Sequence, residues 1–123
     1  MEFINNKHEK RFEELIQKAN VGNSDIERYS LFYLIAGNED LYNQVDKIYN
    51  FNKRQLQDRN EDEEGNLYFP CLMLCSSSKK ILNLAIQLYN DTNNQKVSDT
   101  FSGLDMNNFL LCINAVTYRF QGF

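Results

Sequence analysis

The chain has 123 residues, a mass of 14.5 kDa and a net charge of −4, with 42% apolar and 13% aromatic residues. Area scaling buries roughly two-thirds of the unfolded surface at this length, so a single domain over 1–123 is expected without disulfides or metals, and bulk disorder is excluded. The longest apolar runs, such as residues 31–36, are too short to span a bilayer, and residues 1–20 hold no signal-peptide core. Three cysteines without scaffold spacing point to a reducing, cytoplasmic compartment.

In chain order, His8, Phe12, Leu15, Ile16 and Ala19 form one stripe amid charged residues, which predicts a first amphipathic helix ending near Asn20-Val21-Gly22. Ser24 and Glu27 have capping-box spacing and open a second helix. That helix is apolar almost all round from Tyr29 to Ala36. A helix without a polar face is enclosed on most sides, so it is expected at the centre of the fold. Gly37-Asn38 ends it, and Asn38, with Glu39 and Asp40, caps a third helix whose buried stripe is Leu41, Val45, Ile48 and Tyr49.

Residues 50–74 break the pattern with polar alternation, an acidic stretch, Gly65 and the only proline, Pro70. Short extended runs at 53–57 and 66–69 are expected to pair as one hairpin across the acidic loop. One of the three serines Ser76, Ser77 and Ser78 caps a fourth helix carrying Ile81, Leu82, Leu84, Ala85, Ile86, Leu88 and Tyr89. A polar linker over 90–96 follows. Asp105 then caps a fifth helix, with Met106, Phe109, Leu110, Ile113, Val116 and Phe120 on its expected core face. The reading is mainly α: about five helices around the 26–36 helix, with one short hairpin in 53–69.

The acidity is local. Residues 58–64 hold five acids, Asp58, Glu61, Asp62, Glu63 and Glu64, against the single base Arg59. The rest of the chain balances at 12 acids and 12 bases. General nucleic-acid binding needs a Lys/Arg stripe, which is absent, and one acidic loop is weak support for a DNA mimic. The 58–65 segment reads as a flexible solvated loop, or as an interaction loop through those five acids. The 17 asparagines read as compositional bias rather than a functional signal.

Catalytic chemistry has little to stand on. The one histidine, His8, sits on an apolar stripe, and any Ser-His or Cys-His site would have to use it. Cys71, Cys75 and Cys112 lack metal-ligand spacing and read as small core hydrophobes. No cofactor or metal is expected. The most suggestive segment is Ser76, Ser77, Ser78, Lys79 and Lys80, where hydroxyls, free amides and two cations converge on a helix start. It is a candidate anion site or a redundantly capped terminus.

Glu27-Arg28 followed by Leu31-Phe32-Tyr33, and the run from Ala36 to Tyr42, resemble a family of small Firmicute proteins of unknown function often encoded in phage or prophage regions. Ile48-Tyr49-Asn50-Phe51, residues 75–79, Leu88-Tyr89-Asn90, residues 102–105, Asn108-Phe109 and Arg119-Phe120 carry the resemblance along most of the chain, which departs at the acidic stretch and at 91–96. The resemblance implies a mobile-element origin and carries over no catalytic role. Two readings follow. One is a non-enzymatic module that binds a host or phage protein, such as an inhibitor of a defence or replication enzyme. The other is a small anion- or phosphate-ligand binder using 76–80.

Overall fold

The computed structural model describes residues 1–90 and 92–122. More than half of these lie in helices, so the fold is mainly α. The helices are α1 (Asn6–Ala19), α2 (Ile26–Ala36), α3 (Glu39–Asn43), α4 (Ser76–Asn90), α5 (Val97–Phe101) and α6 (Met106–Gln121), with a 3-10 turn at Val45–Lys47. Between the 3-10 turn and α4 lie two antiparallel hairpins. β1 (Tyr49–Asn50) pairs with β2 (Gln55–Leu56), and β3 (Asn60–Glu61) pairs with β4 (Leu67–Tyr68).

α2 is the hub. It packs against α1, α3, α4 and α6, and every residue from Ser30 to Ala36 is buried. The polar member, Ser30, donates its hydroxyl proton to Ile26 O at 2.9 Å, so the enclosed group is not left unsatisfied. Phe32 meets the edges and faces of Tyr49 and Phe51, with ring centres 4.9 and 6.0 Å away. On the other side Tyr33 lies 4.5 Å from the His8 ring and 5.6 Å from Tyr118.

The helix ends follow from local chemistry. Asn5 and Asn38 accept the His8 and Leu41 amide protons at 2.8 and 3.1 Å, and Asp105 accepts that of Asn108 at 2.8 Å. α1 closes on Asn20 in the left-handed region (φ 53), and the Val21 N–H reaches Ile16 O at 3.1 Å while its side chain is buried. α2 starts one residue later than its capping-box spacing predicts. Asp25 is the cap, because its carboxylate takes both the Arg28 N–H and the Arg28 guanidinium.

Four further expectations about the elements are corrected. α3 stops at Asn43, so the buried stripe Leu41, Val45, Ile48, Tyr49 is spread over a helix, a 3-10 turn and β1. Gln44 ends it: its side-chain amide donates to Met73 O at 3.0 Å and accepts the Met73 N–H at 3.2 Å. The 53–57 run pairs back onto β1, and the hairpin within 53–69 is closed by Asn60–Glu61 instead. A short helix, α5, follows the polar linker, in which Asp91 lies outside the described residues. The last correction is the largest. The core face of α6 is Leu111, Cys112 and Ala115, whereas Met106, Phe109, Leu110, Ile113 and Phe120 are exposed and Val116 half-buried.

Candidate functional site

The residues singled out in the sequence occupy three neighbouring places. α4 begins at Ser76, so all three serines stand inside its first turn, with the Lys79 N–H bonded to Cys75 O at 3.0 Å. They do not act alike. Ser78 is buried, its Oγ 3.0 Å from Asp40 Oδ2 and 3.2 Å from Asn38 Oδ1. The starts of α3 and α4 therefore share one half-buried carboxylate, which complements both helix dipoles. Lys80 donates its ammonium to Ser102 O at 2.5 Å and ties α4 to the turn before α6. Ser76 and Lys79 are exposed and Ser77 half-buried.

Four of the five acidic residues, Glu61, Asp62, Glu63 and Glu64, belong to the β3–β4 hairpin. Asp62 Oδ1 accepts the Glu64 and Asn66 N–H groups, each at 2.9 Å, and Gly65 sits at φ +85, where a side chain would be strained. Glu61 is in β3, while Glu63 and Glu64 form the exposed tip. The hairpin is docked by the Asn94 N–H, which donates to Asn66 Oδ1 at 3.0 Å, and by one buried side chain, Asn93. Asn93 accepts the Leu67 N–H at 2.9 Å, donates to Leu67 O at 3.3 Å, and donates to Asn83 Oδ1 at 2.8 Å. It takes the place of a third strand. Gln44 does the same to Met73, so side-chain amides hold both ends of the 67–73 segment.

Docking the hairpin against α4 encloses a cleft of about 260 Å³. Leu67, Phe69, Leu72, Leu74, Leu82 and Ile86 give it an apolar floor, and Lys79 and Asp62 stand on its wall. The fold thus brings one cation of the 76–80 segment and one acid of the 58–64 segment to the same opening. Asp58 lies apart, in a polar hollow of about 420 Å³ with Arg59 and Tyr89. Arg59 Nη1 is buried there with no hydrogen-bond partner among the described residues, and burial lowers the guanidinium's pKa.

His8 is committed to the core. Its Nδ1 accepts the Ile4 N–H at 3.1 Å, so the proton sits on Nε2, which donates to Tyr33 O at 2.9 Å. Burial holds its pKa below the ordinary value of 6.5. Cys112 is also a core group, its thiol pushed up to about 12 by burial. Cys71 and Cys75, expected inside, are exposed because the segment between β4 and α4 runs along the surface. Among the described residues, no group of three or more His, Cys, Asp and Glu is placed to hold a metal ion, and no helix is long and apolar enough to cross a membrane.

The feature missed in the sequence is the outer face of α6. Met106 is 69% exposed, Phe120 66%, and Phe109, Leu110 and Ile113 each about two-fifths. Together they run the length of the helix. The signal was present: α6 carries apolar residues on two faces, and one helix buries only one of them against its own fold.

Residues 1–122 match a family described as a family of unknown function (DUF6075). The chain belongs to DUF6075. The match takes in α1 to α6 and both hairpins, so the α6 stripe and the cleft lie within the DUF6075 region. No curated protein and no solved structure matches this DUF6075 chain.

Proposed function

We propose that this DUF6075 protein is a non-enzymatic protein-interaction module that docks through the outer face of α6. The observation that carries this reading is the stripe of large apolar side chains left in water along that helix. A monomeric fold gains nothing from exposing them, and contiguous patches of this kind mark interaction surfaces. The engagement of both ring nitrogens of His8 in backbone bonds removes the chain's one histidine as a general base. Origin in a phage or other mobile element, with a host or phage protein as target, is part of the same proposal and rests on the sequence resemblance.

The alternative, an anion binder at residues 76–80, has less support. Ser78 and Lys80 are already bonded within the fold, and Asp40 supplies the negative charge at the α4 start. The two readings separate by experiment. Leu110→Asp should abolish capture of a protein partner from lysate of the encoding cells while leaving the far-UV circular dichroism unchanged. Capture that survives Leu110→Asp counts against the α6 face. Amide shifts at Ser77 and Lys79 in a phosphate titration, lost in Lys79→Ala/Lys80→Ala, would favour the alternative.

A further inference from the structure

The exposed stripe on α6 has a period that identifies what it fits. Met106, Ile113 and Phe120 are seven residues apart, and so are Phe109 and Val116, offset from the first set by three. Positions 106, 109, 113, 116 and 120 therefore alternate steps of three and four, the a/d seam of a helix that pairs with another helix. The inward face, Leu111, Cys112 and Ala115, is filled within the fold. The second seam is surplus to folding.

Three observations point to the same face of another copy as its occupant. First, the seam carries no charge. α6 has one charged side chain, Arg119, and it is turned inward, its Nε donating to Leu88 O at 2.8 Å and its Nη2 3.8 Å from Glu27. The one cation beside the seam is that guanidinium, 5.2 Å from the Phe120 ring centre at the seam's end, so the rest of the seam meets a second copy without like-charge repulsion. Second, an antiparallel overlap centred on Ile113 sets the stripe against itself, with the seam residues Phe109 and Val116 opposite positions 117 and 110 beside the seam. In a fully overlapped antiparallel pair, Met106 faces Phe120, Phe109 faces Thr117, and Leu110 faces Val116, so the larger member of each inner pair meets a smaller one. A two-fold interface requires such self-complementarity, and antiparallel alignment opposes the helix dipoles favourably. Third, the area is of the right order. Phe101 of α5 packs on Phe109 with ring centres 5.6 Å apart, and Val97, one turn earlier, is 75% exposed and extends the patch. The patch offers roughly 500–600 Å² per copy, so a pair buries about 1,000–1,200 Å², the lower end for a specific interface.

We propose that two copies of this chain associate through antiparallel α6 helices, with Ile113 at the two-fold axis. This rests on the reading of α6 as a docking face and names its partner. The small area makes the dimer reversible, with a dissociation constant in the micromolar range.

Sedimentation velocity from roughly 1 to 500 µM brackets such an affinity. The wild-type mass is expected to climb from 14.5 kDa toward twice that value, whereas Ile113→Glu stays at the monomer mass with an unchanged circular dichroism spectrum. Phe120→Ser, at the seam's end, serves as the milder variant and should weaken association about tenfold. In a Cys71→Ser/Cys75→Ser background, Ile113→Cys should cross-link to itself on oxidation. Met106→Cys should do so only when mixed with Phe120→Cys. A wild type that stays monomeric throughout overturns self-pairing, and so does an Ile113→Glu variant that dimerises as well as wild type. The Leu110→Asp capture experiment then decides separately whether α6 docks a different protein.

Discussion

His8 and Gly37 show how closely single residues are fitted around α2. A Cβ added at Gly37 would stand 2.3 Å from Leu111 Cδ1 and 3.1 Å from His8 Nε2, and Leu111 is fully buried. Gly37→Ala should therefore cost about 1–3 kcal/mol through overpacking, although the backbone there (φ −87) suits alanine. The Gly37→Ala/Leu111→Ala double variant should lose less than the sum of the two singles, because the second change removes the clash. His8 makes a pH prediction. Its folded pKa lies below 6.5, so as pH falls through 6.5 the unfolded chain takes up the proton first. Its contribution is complete above pH 6.5 and declines toward the folded pKa, with a slope of at most about 1.4 kcal/mol per pH unit. Melting curves between pH 7.5 and pH 5 should show this slope in the wild type (about 1.4 kcal/mol is its ceiling). A His8→Gln variant that keeps the same slope would assign it to other groups. Phe32→Ala should cost about 3–5 kcal/mol, since a fully buried ring against Tyr49 and Phe51 is lost.

At the scale of elements, the helices that the sequence marks by caps, stripes or uniform apolarity are all present, while the short α5, which has no side-chain cap, went unmarked. α2 was legible because apolarity all round a helix leaves one place for it. α6 was misread for a physical reason. Two apolar stripes share that helix, and the one with larger side chains looked like the core face. The space beside α2 is filled by Leu111, Cys112 and Ala115, with Tyr118 against Tyr33, a steric fact that periodicity does not encode. The side-chain amide clamps were hidden too. An asparagine that replaces a strand looks no different in sequence from one of the 17 in a turn. Asn93→Ala should cost about 1–3 kcal/mol by stranding the Leu67 backbone groups and Asn83. Hydrogen exchange at Leu67 that is unchanged in this variant would argue against the clamp. The acidic stretch holds β3, so deleting 58–64 should lower the melting midpoint. Glu63→Gln/Glu64→Gln, at the exposed tip, should move it by no more than about 2 °C.

Across the whole molecule, one core cluster runs from α1 through α2, α4 and α6, reaching β1, β2 and the Phe69 turn. The accessible surface, 7035 Å², is close to the roughly 6,900 Å² that scaling assigns to a folded chain of this mass. The molecule thus has the surface of a well-packed domain, yet leaves its longest helix with a second apolar seam in water. The proposed function joins these facts: the inner faces make the fold, and the outer face of α6 makes the contact. The most direct measurement is the thermal midpoint as a function of protein concentration, for wild type and Ile113→Glu side by side. Association of folded chains raises the midpoint with concentration by mass action. The account predicts a rising midpoint for the wild type and a flat one for Ile113→Glu. Flat, superimposable curves for both proteins over the same range would contradict self-pairing through α6.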